Sequence, residues 1–178
     1  GAGGIVCGTE IAGGVRNVYM HDCVFDGTDQ AFRFKTLRPR GGGVENVYIE
    51  RVRARLKGPA FYCNMLGSIK WGGDLAKRFP ARKIDEFTPD FRRISISDVI
   101  IEDCTYLIDV DALPERPLAN VQISHVTAKC KSLGKMRDVS SFTLKNAQIT
   151  TTDPILKVDG CSGVRLLDVK NTEPEQAI

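Results

Sequence analysis

A recurring nine-residue pattern constrains this chain more than any other feature. Val15-Arg16-Asn17-Val18-Tyr19-Met20-His21-Asp22-Cys23 reads apolar, x, Asn, apolar, x, apolar, x, polar, apolar. The same pattern runs from Val44 to Val52, from Phe91 to Val99 and from Leu118 to Val126, with weaker copies from Val139 to Ala147 and from Cys161 to Val169. The central apolar residues Val18, Val47, Ile94, Val121, Phe142 and Val164 are separated by 29, 47, 27, 21 and 22 residues. Apolar and polar positions alternate with period two, so each copy is a strand. One copy is too short to bury its own apolar face, so the copies must stack and share a core. Strands stacked at roughly 20 to 30 residues per coil predict an all-β chain folded as a parallel β-helix, a β-solenoid.

Turn residues punctuate the repeat at Asp26-Gly27, Gly41-Gly42-Gly43, Asp159-Gly160 and Ser162-Gly163. An antiparallel sandwich is the competing architecture, and it would need a hairpin turn every 8–12 residues or so. Instead, a polar residue recurs in register after each strand, at Asp22, Arg51, Asp98, His125, Asn146 and Asp168. A corner of the coil explains that register. His125 is therefore expected at a corner and His21 on the surface beside one, neither as a ligand.

The chain has 178 residues, enough for one domain with a real core. The expected organisation is coils over residues 1–170, a loop insertion at about 66–90, and a tail at 171–178. No apolar run of membrane-spanning length occurs, and no signal-like segment opens the chain. The sequence begins inside patterned residues, which leads to the expectation of a removed leader or a missing N-terminal half. The six cysteines form no Cys-x-x-Cys pair. Mostly free, buried thiols are expected, with Cys23 and Cys161 at core positions and one bridge possible. Nothing implies a metal or a cofactor, and no acidic cluster suits calcium.

Charge is unevenly spread. Between Arg33 and Lys57 eight basic residues face only Glu45 and Glu50, a local net charge of +6. An anionic partner or a solvated basic face would each account for it. Within this window Arg33 and Lys35 alternate with Phe32 and Phe34. In a strand the two cations share one face and the two aromatics the other. The 47-residue step marks the insertion, and a loop of that length in a compact fold is usually functional. It carries the only tryptophan, Trp71, among Lys70, Lys77, Arg78, Arg82 and Lys83. Trp71 would either stack on a sugar ring or, with Phe79, pin the loop to the solenoid.

Gly1-Ala2-Gly3-Gly4-Ile5-Val6-Cys7-Gly8-Thr9-Glu10, then Gly13-Gly14-Val15-Arg16-Asn17-Val18, then Asp26-Gly27-Thr28-Asp29 leading into Arg33-Phe34-Lys35, resemble the family 28 glycoside hydrolases, the polygalacturonases. Ala112-Leu113-Pro114-Glu115-Arg116-Pro117 resembles a further link of that family. The resemblance implies a right-handed parallel β-helix of the pectin-lyase-like type, here incomplete at its N-terminal end. It implies inverting hydrolysis of α-1,4-galacturonosyl linkages in pectin, by one protonating carboxylic acid and further carboxylates that activate water.

In that family an Arg-x-Lys pair holds the sugar carboxylate beside the scissile bond, and Arg33 and Lys35 match it. Glu10 falls where the bacterial, exo-acting members of the family carry a Gly-Ser-Glu glutamate, which implies a place at the cleft edge or a structural role. Ala2 replaces the histidine of the family's Gly-His-Gly turn. The catalytic aspartates of the family precede that turn and have no match here, and its tyrosine one coil later has no counterpart near Asn64 to Gly67. No catalytic residue is therefore assigned. Substrate binding is assigned to Arg33, Lys35, Glu10 and Trp71. The resemblance also implies an acidic polysaccharide as partner and a place outside the cytoplasm, extracellular or periplasmic. Nucleic acid is disfavoured because no aromatic residues interleave the basic face, and no membrane partner is expected. A non-catalytic β-helix module gripping acidic polysaccharide is the alternative, and a lyase or epimerase on the same fold, hinted at by Arg38-Pro39-Arg40, is a third.

Overall fold

A computed structural model of the chain describes residues 3–173. Ten strands follow one another: β1 (Ile5–Cys7), β2 (Val15–Thr28), β3 (Phe32–Lys35), β4 (Gly43–Leu56), β5 (Phe61–Asn64), β6 (Asp90–Asp111), β7 (Leu118–Arg137), β8 (Val139–Thr150), β9 (Leu156–Asp159) and β10 (Ser162–Thr172). Every ladder between them is parallel. The architecture is a parallel β-helix, and the antiparallel sandwich is excluded. Each coil makes two stretches separated by a corner, as in β2, and then a third, as in β3. The third stretches stack as β1, β3, β5, the end of β6, the end of β7 and β9, forming one continuous face.

The corners explain the repeat. Asn17, Asn46, Arg93, Asn120, Ser141 and Gly163 all lie at φ between 54° and 63°, one per coil. Asp22, Arg51, Asp98, His125, Asn146 and Asp168 form a second such series, at φ between 52° and 56°. These left-handed conformations are costly for most side chains and least so for Asn, Asp and Gly. Hence the polar residue that recurs after each strand is a corner, His125 included. Corner side chains also bond between coils: Asn46 Nδ2 donates to Asn17 Oδ1 at 3.0 Å, and Arg93 Nε donates to Asn46 Oδ1 at 2.7 Å.

Inward residues of successive coils stack into one core. Phe34, Phe61 and Phe142 are fully buried, with ring centroids 5.7 Å and 6.4 Å apart along the stack. All six cysteines are free. Cys7, Cys63, Cys104 and Cys130 are buried. Cys23 and Cys161 take the expected core positions, though only partly buried. They pack against the core but stay half-covered, because β2 and β10 each pair with a strand on one side only. The last strand runs to Thr172, past the expected end of the coils at residue 170. The rest of the expected tail, 174–178, lies outside the described residues.

The insertion contains a short helix, α1 (Ile69–Gly72), and a 3-10 turn at Gly73–Ala76. Trp71 and Phe79 do not pin it, for they are 75% and 58% exposed. Two arginines do. Arg38 forms a two-pronged pair with Glu115 at 2.6 and 2.7 Å and donates to the carbonyls of Leu75 at 3.0 Å and Lys77 at 2.8 Å. Arg78 grips Asp138 at 2.7 and 2.8 Å and also bonds Asp159. No helix among the described residues is long and apolar enough to cross a membrane.

Candidate functional site

Strand β3 builds the site by simple alternation. Phe32 and Phe34 fill the core, and Arg33 and Lys35 point outward from the stacked third face. Across the ladders, Arg33 lies between Val6 on β1 and Tyr62 on β5, and Lys35 lies beside Asn64. These in-register neighbours carry no charge. Above the rung opens a groove of about 260 Å³ whose lining includes Thr9, Arg33, Lys35, Tyr62, Asn64 and Trp71. Trp71 reaches it from α1, and the loop staples Arg38 and Arg78 keep that helix in place.

The two cations are held ready rather than satisfied. Neither makes an ion pair among the described residues, and Arg33 Nε is buried without a hydrogen-bond partner. The Arg33 guanidinium stands 5.8 Å from the centroid of the Tyr62 ring, a weak cation–π contact. Burial pushes the Lys35 ammonium below the ordinary lysine range, and the charges of Arg33 and Arg40 push it further. Two desolvated like charges side by side favour an incoming anion, which would relieve both penalties. A carboxylate suits the geometry, since arginine offers a planar fork and lysine a point charge.

The rest of the basic window behaves differently. Arg51 pairs with Asp22 at 2.7 Å, Arg53 with Glu102 at 2.5 Å, Arg55 with Asp26 at 2.6 Å and Arg40 with Glu10 at 2.8 Å. The local excess of +6 is thus largely cancelled by acids from neighbouring coils, and Arg33, Lys35 and the exposed Lys57 are the basic residues of the window left without an ion pair among the described residues.

The other candidate residues fall as follows. Trp71 lines the groove, exposed, with the Lys70 ammonium 4.9 Å from its ring centroid. Glu10 is 80% exposed, is paired to Arg40, and is not a lining residue of the groove. Its charge still acts on Lys35, partly opposing the downward shift. Ala2 lies outside the described residues. Arg38 is buried in its pair with Glu115 and cannot face a ligand, which removes the hint read from Arg38-Pro39-Arg40. Among the described residues no carboxylate lines the groove, and no group of three His, Cys, Asp or Glu could hold a metal ion.

Tyr62 is not among the residues the sequence reading assigns, because that reading expects a tyrosine near Asn64 to Gly67. The signal was present: the 29-residue step that carries Val18 to Val47 also carries Arg33 to Tyr62 and Lys35 to Asn64. Burial raises the Tyr62 phenol above its ordinary pKa, so it stays a neutral donor in the groove.

No protein-family model matches the chain, and no solved structure matches it. Over 123 residues, 69% of this chain, it is 25% identical to a probable polygalacturonase of Vitis vinifera. The matched stretch spans 23% of that relative's length. This distant, partial similarity supports a polygalacturonase-like relationship, in agreement with the parallel β-helix.

Proposed function

We propose that this chain supplies the sugar-carboxylate-binding half of a polygalacturonase-type glycoside hydrolase site, in a protein that works outside the cytoplasm on pectin. The observation that carries the reading is the Arg33–Lys35 rung: two unpaired, partly desolvated cations facing a groove that an exposed tryptophan and a neutral phenol also line. In this reading Arg33 takes the carboxylate of a galacturonate residue through its fork. Lys35 adds charge, Tyr62 donates to a hydroxyl, and Trp71 covers a ring face. In this reading the carboxylates that protonate the leaving oxygen and activate water for an inverting reaction are supplied from outside the groove, whose lining among the described residues holds none.

Calorimetric titration with a short oligogalacturonate tests this. The chain is expected to bind it without turnover, and Arg33→Ala to lose most of the affinity while staying folded. Turnover at an ordinary enzymatic rate by the chain alone would defeat the division of labour, and undiminished binding by Arg33→Ala would defeat the site. The absence of a carboxylate from the groove also favours a second reading, a non-catalytic module for acidic polysaccharide. Pectin hydrolysis by a longer protein containing this chain, lost on Arg33→Ala, would decide for the enzyme.

A further inference from the structure

The continuous third face carries more than the Arg33–Lys35 rung, and its charges are ordered. Reading outward positions along the ladders, Arg33 is followed by Tyr62, Asp109 and Lys135, and Lys35 is followed by Asn64, Asp111 and Arg137. The rungs therefore run cationic, neutral, acidic, cationic. Neighbouring rungs are about 4.8 Å apart, so the acidic rung lies about 10 Å from the first cations, within reach of a sugar chain seated there. Tyr62 and Asn64, which line the groove, are the direct neighbours of Asp109 and Asp111.

We infer that the groove selects a sugar chain by charge pattern, taking an acidic residue over Arg33 and Lys35 and an uncharged, hydroxyl-bearing residue over the Asp109–Asp111 rung. This rests on the reading of Arg33 and Lys35 proposed above. The two carboxylates are sunk, with side chains 19% and 16% exposed. The Lys135 ammonium sits 3.5 Å from each of them, and Arg137 bonds Asp111. The cations of this quartet are committed and its net charge is zero.

A second sugar carboxylate arriving at this rung meets two carboxylates and only committed cations; the next cation without an ion pair among the described residues, Lys157, lies two rungs from Asp109, beyond Lys135. To be held it would have to draw Lys135 or Arg137 away, leaving a half-buried acid unpaired. Asp109 already has its pKa raised by burial, against the opposing pull of Lys135, so its ionised form tolerates little further negative charge nearby. A hydroxyl meets none of these costs. It donates to a carboxylate oxygen and accepts from the remaining N–H groups of Lys135 or Arg137.

The test compares two galacturonate oligomers of equal length in calorimetric titrations of the chain: one fully acidic, the other with a single free carboxylate and the rest methyl esters. The inference expects the one-acid oligomer to bind severalfold tighter, although general electrostatics favours the fully acidic one. It expects Asp109→Asn/Asp111→Asn to reverse that order. Asp109→Asn alone keeps the Asp111–Arg137 pair, so it stays informative should the double variant misfold, and it is expected to narrow the preference. Tighter binding of the fully acidic oligomer by the unmodified chain overturns the inference. So does a preference left unchanged in folded Asp109→Asn. In both cases the groove reading survives if Arg33→Ala still loses both oligomers. Failure of the unmodified chain to bind either oligomer overturns both.

Discussion

Arg33 and Arg38 lie five residues apart in one basic stretch, and the fold gives them opposite tasks. Arg38 is buried, with a 5% exposed side chain, and spends its guanidinium on Glu115 and on the Leu75 and Lys77 carbonyls. Arg33 sits on the groove face, with an unpartnered buried nitrogen and only a weak contact over the Tyr62 ring. The difference lies in what the neighbouring chain places opposite. Arg38 meets a carboxylate from 77 residues away, whereas Arg33 meets Val6 and Tyr62 on the adjoining rungs. One cation closes the structure, and the other is left open to a ligand.

The largest expected effect breaks the closed member of that pair. Arg38→Ala would strand Glu115, whose side chain is 5% exposed, and free the loop that carries Trp71. Breaking a buried pair on one side costs about 3–5 kcal/mol. Chemical denaturation is expected to show a loss of that order, with oligogalacturonate affinity falling as α1 loosens. Arg38→Lys is not expected to rescue it, since a single ammonium cannot form the fork and both carbonyl bonds at once. A loss below about 1 kcal/mol, the scale of an exposed pair, would show that the pair is not the staple described here.

The open member behaves in reverse. Arg33→Ala orphans no acid, so its stability change is expected to stay within about 0.5 kcal/mol, the scale of an ordinary surface substitution. Oligogalacturonate binding is expected to fall roughly 10- to 100-fold, the scale of a lost charge-assisted bond of about 1.5–3 kcal/mol. If Arg33→Ala and Arg38→Ala moved stability alike, the contrast between them would be gone.

Lys35 sharpens the contrast through pH. Its ammonium is held below the ordinary lysine value by burial first and by Arg33 and Arg40 next. Only the protonated form attracts a carboxylate, so affinity is expected to fall as pH rises through that lowered value, earlier than an ordinary lysine would allow. Stability moves the other way. Across the window between the lowered folded value and the ordinary one, the unfolded chain binds the proton more tightly, so Lys35's contribution to stability rises with pH. Lys35→Arg, which does not titrate there, is expected to flatten both trends. An affinity profile unchanged by Lys35→Arg would remove Lys35 from the site.

How far the sequence led follows from the same contrast. Stacking is a local, repeated property, so the copies from Val15 to Val169 and the corners from Asp22 to Asp168 could be read directly. The outward placement of Arg33 and Lys35 followed from two alternating aromatics. Pairings across coils were hidden, because Arg78 finds Asp138 and Asp159 60 and 81 residues away and no pattern marks them. The same reason made the basic window look more open to anions than it is. Tyr62 lies in plain register, one 29-residue step from Arg33, whereas the expectation of a tyrosine near Asn64 to Gly67 does not lead to it. The half-burial of Cys23 and Cys161 depends on which coils have neighbours on both sides, and the pattern of one strand does not carry that.

Trp71 gives the smallest expected effect. It is 75% exposed and carries no part of the loop's anchoring, so Trp71→Ala is expected to leave the unfolding midpoint unchanged. An aromatic contact contributes about 1 kcal/mol beyond area, so a stacked sugar would lose roughly fivefold in affinity. The informative measurement is the double variant with Arg33→Ala. If both side chains touch one bound sugar through separate contacts, their losses should add to within a few tenths of a kcal/mol. If Trp71 serves only to shield the rung from water, its removal should cost little once Arg33 is gone, and the two losses would fall short of additive. Trp71→Ala with full affinity would leave Arg33, Lys35 and Tyr62 as the whole of the grip, and the tryptophan as a residue of the loop alone.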